Sequence, residues 1–169
     1  MRKILIIDTS ILCVWLKVTN MEVCGPDDDK WDFLRVDSKI RKEQSAGTTF
    51  VLPIATIIET GNHIAHAHGD RFALGKALGT IIDKVVEEKS PWAAFTEQSE
   101  LWKPENLKRL SDKWQTTVAQ GQSLGDASIV DVTEYFAETG FEVEIFTGDQ
   151  GLKSYEPAIK PFVPRRRRR

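Results

Sequence analysis

KILIIDTS, residues 3–10, is the stretch on which the fold turns. Ile4 to Ile7 form an unbroken apolar run, and Asp8, Thr9 and Ser10 follow it directly. A short continuous apolar run reads as a strand buried on both faces, as in parallel sheets covered by helices. A carboxylate at the very end of such a strand has two readings. It caps the following helix through its side-chain oxygens, or it belongs to a site at the edge of the sheet.

The flanking sequence repeats the alternation. The pattern predicts a strand over 3–8, a helix over 10–17, a polar, turn-rich loop in TNMEVCGPDDDK (19–30) and an amphipathic helix over 31–45. A second strand is predicted at Phe50 to Leu52, with Pro53 at its exit. Helices follow over 55–67, 71–88, 105–118 and 124–138, with an irregular connector over 90–105. VEIFT (143–147) reads as a third strand, and Phe162 with Val163 as a short late one. Strands separated by helices of this length predict an α/β fold with a mainly parallel sheet, covered on both faces.

With 169 residues, 41% of them hydrophobic, the chain reads as one domain over 1–164 with a basic tail over 165–169. Arg165, Arg166, Arg167, Arg168 and Arg169 supply five of the 23 Lys and Arg residues against 25 Asp and Glu, so the remaining chain is strongly acidic. Such a block is expected to be a disordered, solvated tail, and it is the one candidate nucleic-acid contact that composition offers. Cys13 and Cys24 match no metal spacing and no disulfide framework, which predicts two reduced thiols, with Cys13 in the core. Asp8 interrupts the only run resembling a signal peptide, and no apolar stretch is long enough to span a bilayer. The expectation is a cytoplasmic protein with no membrane association.

Four acids fall at element ends. Asp8 closes the first strand. Glu59, in PIATIIETGNHI, lies in the helix after the second. Asp126, in SLGDASIVDV, opens a helix, and Asp149, in VEIFTGDQGL, lies just past the third strand. Each has a structural explanation alone: caps at Asp8 to Ser10, a loose S-x-x-D capping pattern at Ser123 and Asp126, a turn at Asp149, a solvated Glu59. Together they can converge on one sheet edge, where carboxylates repel and one must hold its proton unless a cation neutralises them. Hard divalent cations prefer such oxygen donors, and the chemistry suited to the arrangement is hydrolysis of a phosphodiester.

IIDTS, IIETGNHI, LGDASIV and FTGDQGL, in this order and spacing, resemble the PIN-domain ribonucleases, which include bacterial toxin-type endoribonucleases. The resemblance runs from residue 3 to about residue 156. It implies a three-layer α/β/α sandwich, a Mg²⁺- or Mn²⁺-dependent site and an RNA substrate. On the matching positions it makes Asp8, Glu59, Asp126 and Asp149 the catalytic, metal-binding quartet. It makes Ser10 and Thr147 candidates to orient a carboxylate or water. An antitoxin or other regulatory protein and a homodimer are the partners this reading allows. The chain is longer than the compact toxins between residues 19 and 48 and near 90–105.

Three other groups are weighed against this site. His63 lies four residues after Glu59, and is placed beside the acids to contact phosphate or a carboxylate. His66 and His68 read as surface residues, because further ligands at zinc spacing are missing. Asp131 lies five residues after Asp126, about 140° around the helix at 3.6 residues per turn, and should face elsewhere. Trp15, Trp31 and Trp114 read as core; Trp92 and Trp102 are the better candidates for an exposed surface, but packing still leads for them too. The reading that follows is a metal-dependent endoribonuclease. The alternative is a non-catalytic RNA- or protein-binding module on the same fold. A phosphatase with an aspartate nucleophile is disfavoured, since IIDTS lacks a second acid soon after the first.

Overall fold

The computed structural model describes residues 2–158. The late strand expected at Phe162 and Val163 and the tail Arg165–Arg169 lie outside these residues. β1 (Lys3–Ile7) is the central strand of a three-stranded, all-parallel sheet, between β2 (Thr49–Val51) and β3 (Glu142–Phe146). In register, Leu5 faces Phe50 and Glu144, while Ile6 faces Val51 and Ile145. Around the sheet lie α1 (Thr9–Leu16), α2 (Phe33–Ser45), α3 (Ile54–His66), α4 (Arg71–Val86), α5 (Pro104–Thr117), α6 (Leu124–Glu138) and α7 (Gln150–Lys153). Two 3-10 segments, Phe95–Trp102 and Val118–Gln120, complete the helical part of the described residues.

Alternation along the strands divides the apolar residues between two cores. Leu5, Ile7, Phe50 and Phe146 join Ile11 and Leu12 of α1, Val36 and Ile40 of α2, and Leu78 and Val85 of α4. Ile4, Ile6, Val51, Val143 and Ile145 join Ile129, Val132 and Phe136 of α6. Successive strand residues point to opposite faces, so helices cover both sides, as the run at Ile4–Ile7 requires. The architecture is α/β, compatible with the expected α/β/α sandwich. Truncating a fully buried strand residue such as Ile6 to alanine would cost about 2–5 kcal/mol.

Several boundaries differ from the expectations for local reasons. Trp31 does not begin a helix: it pairs with Cys24 in an antiparallel bridge, and Asp32 caps α2 by accepting from the Arg35 amide. The connector over 90–105 is not irregular throughout. Phe50 donates to the Pro91 carbonyl and accepts from the Ala93 amide, so the segment shields the outer edge of β2. Trp92 packs edge-on to Phe50 within the core, in keeping with the leading reading, whereas Trp102 is partly exposed. On the other edge, Glu156 accepts from the Ile145 amide and Lys153 donates to the Ile145 carbonyl.

The amino end of the sheet carries an ion network. Lys3 pairs with Glu43 at 2.6 Å and Glu144 at 2.7 Å, and Lys39 joins both acids. Burial would raise the Glu43 carboxyl, but bonds from Lys3, Thr48 and Lys39 outweigh it and hold the group at about 2. Among the described residues no helix is long and apolar enough to cross a membrane.

Candidate functional site

All three strands point their carboxyl ends to the opposite edge. From the central strand the chain first crosses to β2 and later to β3 on the other side, so a crevice opens beyond β1. Asp8 sits at its base, 5% exposed. It is the N-cap of α1, and Oδ2 accepts from the Ser10 amide at 3.3 Å, the Ser10 hydroxyl at 2.7 Å and the Thr147 hydroxyl at 2.7 Å. The Asp8 amide donates to the Phe146 carbonyl, which continues the ladder one residue past the strand. Ser10 and Thr147 therefore both hold the same oxygen of Asp8. They also brace the turn after β3, since Ser10 Oγ accepts from the Gly148 amide and Thr147 Oγ1 from the Asp149 amide.

Glu59 comes from α3. Thr56 fixes that helix by donating its hydroxyl to the Ile7 carbonyl at 2.9 Å, and Glu59 follows three residues on. Thr9 then donates to Glu59 Oε2 at 2.9 Å. The remaining oxygen, Oε1, lies 2.0 Å from where a Cβ on Gly125 would stand. Only a residue without a side chain lets Glu59 come this close to the first turn of α6.

Asp126 is one residue further along that turn. Ser123, the N-cap of α6, accepts from its backbone amide at 2.9 Å. Burial raises the Asp126 carboxyl above its usual range; the Ser123 hydroxyl opposes this, and the charges of Asp8, Asp149 and Glu59 add to the rise. Asp149 caps α7, its Oδ1 accepting from the Gly151 amide at 2.7 Å and the Leu152 amide at 3.2 Å. Asp126 and Asp149 line one cleft. The capping reading holds for Asp8, Ser123 and Asp149, while Glu59 is held by Thr9 across two helices.

The loop over 19–30 is docked on this edge. A Cβ on Gly148 would lie 2.6 Å from Cys24 Sγ and 2.7 Å from the Gly25 amide nitrogen. Trp31 packs edge-on to Phe146, with ring centroids 4.9 Å apart, and the Arg35 guanidinium covers Trp31 at 3.7 Å.

Thr9, Thr56, Gly125 and Gly148 are site residues that motif reading passed over. Their only sequence signal is adjacency: Thr9 follows Asp8, Thr56 precedes Glu59 by about one turn, and each glycine stands beside an acid. His63 is exposed on α3, and no hydrogen bond joins it to a carboxylate among the described residues. His66 bonds back to the Asn62 carbonyl at 2.8 Å, so the histidines form no ligand group with Glu59. Asp131 does face elsewhere, buried beside Lys113 of α5 at 3.4 Å. The nucleic-acid contact expected at Arg165–Arg169 lies outside the described residues.

Asp8, Glu59 and Asp149 each give one oxygen to protein donors, leaving Oδ1, Oε1 and Oδ2 respectively outside those bonds. Among the described residues no three Asp, Glu, His or Cys side chains close into a metal-binding group. In kind, the donors suit a hard divalent cation, since all are carboxylate oxygen. Comparison with family models, with curated proteins and with solved structures finds no match to this chain.

Proposed function

We propose that the chain is a metal-dependent endoribonuclease with a PIN-like fold, hydrolysing RNA phosphodiester bonds at the carboxylate cluster. One observation carries the reading: carboxylates from four elements lie around the carboxyl edge of a parallel sheet, within electrostatic reach of Asp126 though not yet closed into a ligand group among the described residues. Glu59 lies against Gly125, Asp126 and Asp149 share a cleft, and Asp126 responds to the charges of all three other acids.

Asp8, Glu59, Asp126 and Asp149 are the residues that would hold Mg²⁺ or Mn²⁺. When bound, such an ion neutralises charge on the phosphate and lowers the pKa of the attacking water. The protein's own part is positioning. Ser10 and Thr147 fix the rotamer of Asp8, Thr9 fixes Glu59, and the Gly151 and Leu152 amides fix Asp149. Each is a bond to a charged acceptor, the stronger class of hydrogen bond. Preorganisation of this kind places charge before the substrate arrives and spares reorganisation at the moment of reaction.

The test is purified protein on a mixed RNA pool with Mg²⁺, Mn²⁺ or EDTA, followed by mapping of cut ends. Internal cuts bearing 5′-phosphates with either ion, and none in EDTA, are expected. RNA left intact under all three conditions would overturn the reading in favour of a non-catalytic binding module.

A further inference from the structure

The cleft whose acidic floor is Asp126 and Asp149 is lined by neither of the other two acids. Its volume is about 260 Å³, somewhat below the roughly 300 Å³ at which pockets for drug-sized ligands begin. One wall is the turn Gln120–Gly121–Gln122, and the other is the end of α7 with Ser154 and Tyr155. The first wall is rigidly built. Gly121 takes the left-handed conformation at φ 87°, Trp114 donates its indole N–H to the Gln122 carbonyl at 2.9 Å, and the Gln122 amide donates to the Thr117 carbonyl. These bonds use the backbone of Gln122 and leave its side-chain amide to face other partners.

On the second wall, the Tyr155 amide closes the helix end by donating to the Leu152 carbonyl at 3.1 Å. The Tyr155 side chain is 42% exposed and stacks on no aromatic ring among the described residues. A cleft with an uncommitted aromatic ring, two amides and an acidic floor has a definite chemical preference. The floor repels phosphate. It accepts hydrogen bonds from an exocyclic amine, and a Gln amide offers both a donor and an acceptor to a base edge. An aromatic side chain supplies a stacking platform for an unpaired base.

We infer that this cleft is a nucleobase subsite: it takes one unstacked base of single-stranded RNA beside the cut bond, against Tyr155, and favours bases carrying an exocyclic amine. The inference rests on the nuclease reading for its placement beside the cut, yet its binding consequence is measured without any cleavage. In this role Tyr155 and Gln122 are binding residues that contact substrate, and Asp126 and Asp149 border both this subsite and the proposed metal site.

The experiment is fluorescence anisotropy of labelled oligo-A, oligo-C and oligo-U with the full chain, in EDTA at low salt. The wild-type protein should bind oligo-A and oligo-C more tightly than oligo-U. Tyr155→Ala should weaken all three by about tenfold, because stacking tolerates any base. Tyr155→Phe keeps the ring and should restore binding, which separates stacking from loss of fold. Gln122→Ala should narrow the spread between the three probes. Equal affinities for wild type and Tyr155→Ala, or no binding of any probe, would overturn the subsite even if the protein cuts RNA. Binding that depends on Tyr155 in a protein that cuts nothing would keep the subsite and remove the nuclease reading.

Discussion

Thr9 Oγ1 donates to Glu59 Oε2 at 2.9 Å, joining residues 50 positions apart. Thr9 is buried in the first turn of α1 and cannot turn its hydroxyl to solvent, so the bond sets the rotamer of an acid on another helix. Replacing it by the isosteric valine removes the hydroxyl and little else. Thr9→Val should keep the fold and lower kcat/KM for RNA cleavage by about tenfold to a hundredfold, the range of a lost bond to a charged group. Thr9→Ser should recover most of that loss. Kinetics on a defined RNA, with a thermal melt of each variant, checks both.

Gly125 separates stability from activity. Alanine is the better helix former by about 1 kcal/mol, so Gly125→Ala should melt no lower than wild type. Its methyl group would stand 2.0 Å from Glu59 Oε1, and the carboxylate must swing away. Cleavage should therefore fall sharply while the melting temperature holds or rises. A variant that loses both together would point to a structural role for the glycine.

Metal linkage gives a third measurement. Mg²⁺ or Mn²⁺ bound to the native state should raise the melting temperature in a concentration-dependent way, and EDTA should reverse it. Glu59→Gln and Asp126→Asn should abolish that rise. Asp8→Asn should do the same without loss of helix α1, since asparagine caps a helix as well as aspartate does. The same shift in wild type and all three variants would place the ion elsewhere.

Acid stability should depend on the far end of the sheet. Glu43 is held at about 2 against an ordinary 4.5, so its folded value is depressed. The stability it contributes is complete above its ordinary value and is lost as pH falls from about 4.5 towards 2. Glu144, lowered in the same network by Lys3 and Lys39 against its own burial, adds to the loss. Glu43→Gln should flatten the stability curve across that window, read by denaturant unfolding at a series of pH values.

The sequence by itself determined the three strands, the order of the main helices and the place of four acids at element ends. Those features are local: an apolar run such as Ile4–Ile7, a helical period or a capping residue acts through neighbours a few positions away. Short elements escaped it. The four residues of α7 carry no readable period, and the backbone pairing of Phe50 with Pro91 and Ala93 joins distant stretches. Only tertiary structure decided which oxygen of Glu59 is engaged and gave Asp8 its distant partner, whereas Asp149 is held by its own local cap. Asp8 owes its orientation to Thr147, 139 positions away, and Glu59 to Thr9 and to the room that Gly125 leaves. It also laid the loop with Cys24 and Gly25 against Gly148. Hydrogen-bond partners and close approaches of this kind arise only when separate elements pack, so no local pattern of residues announces them.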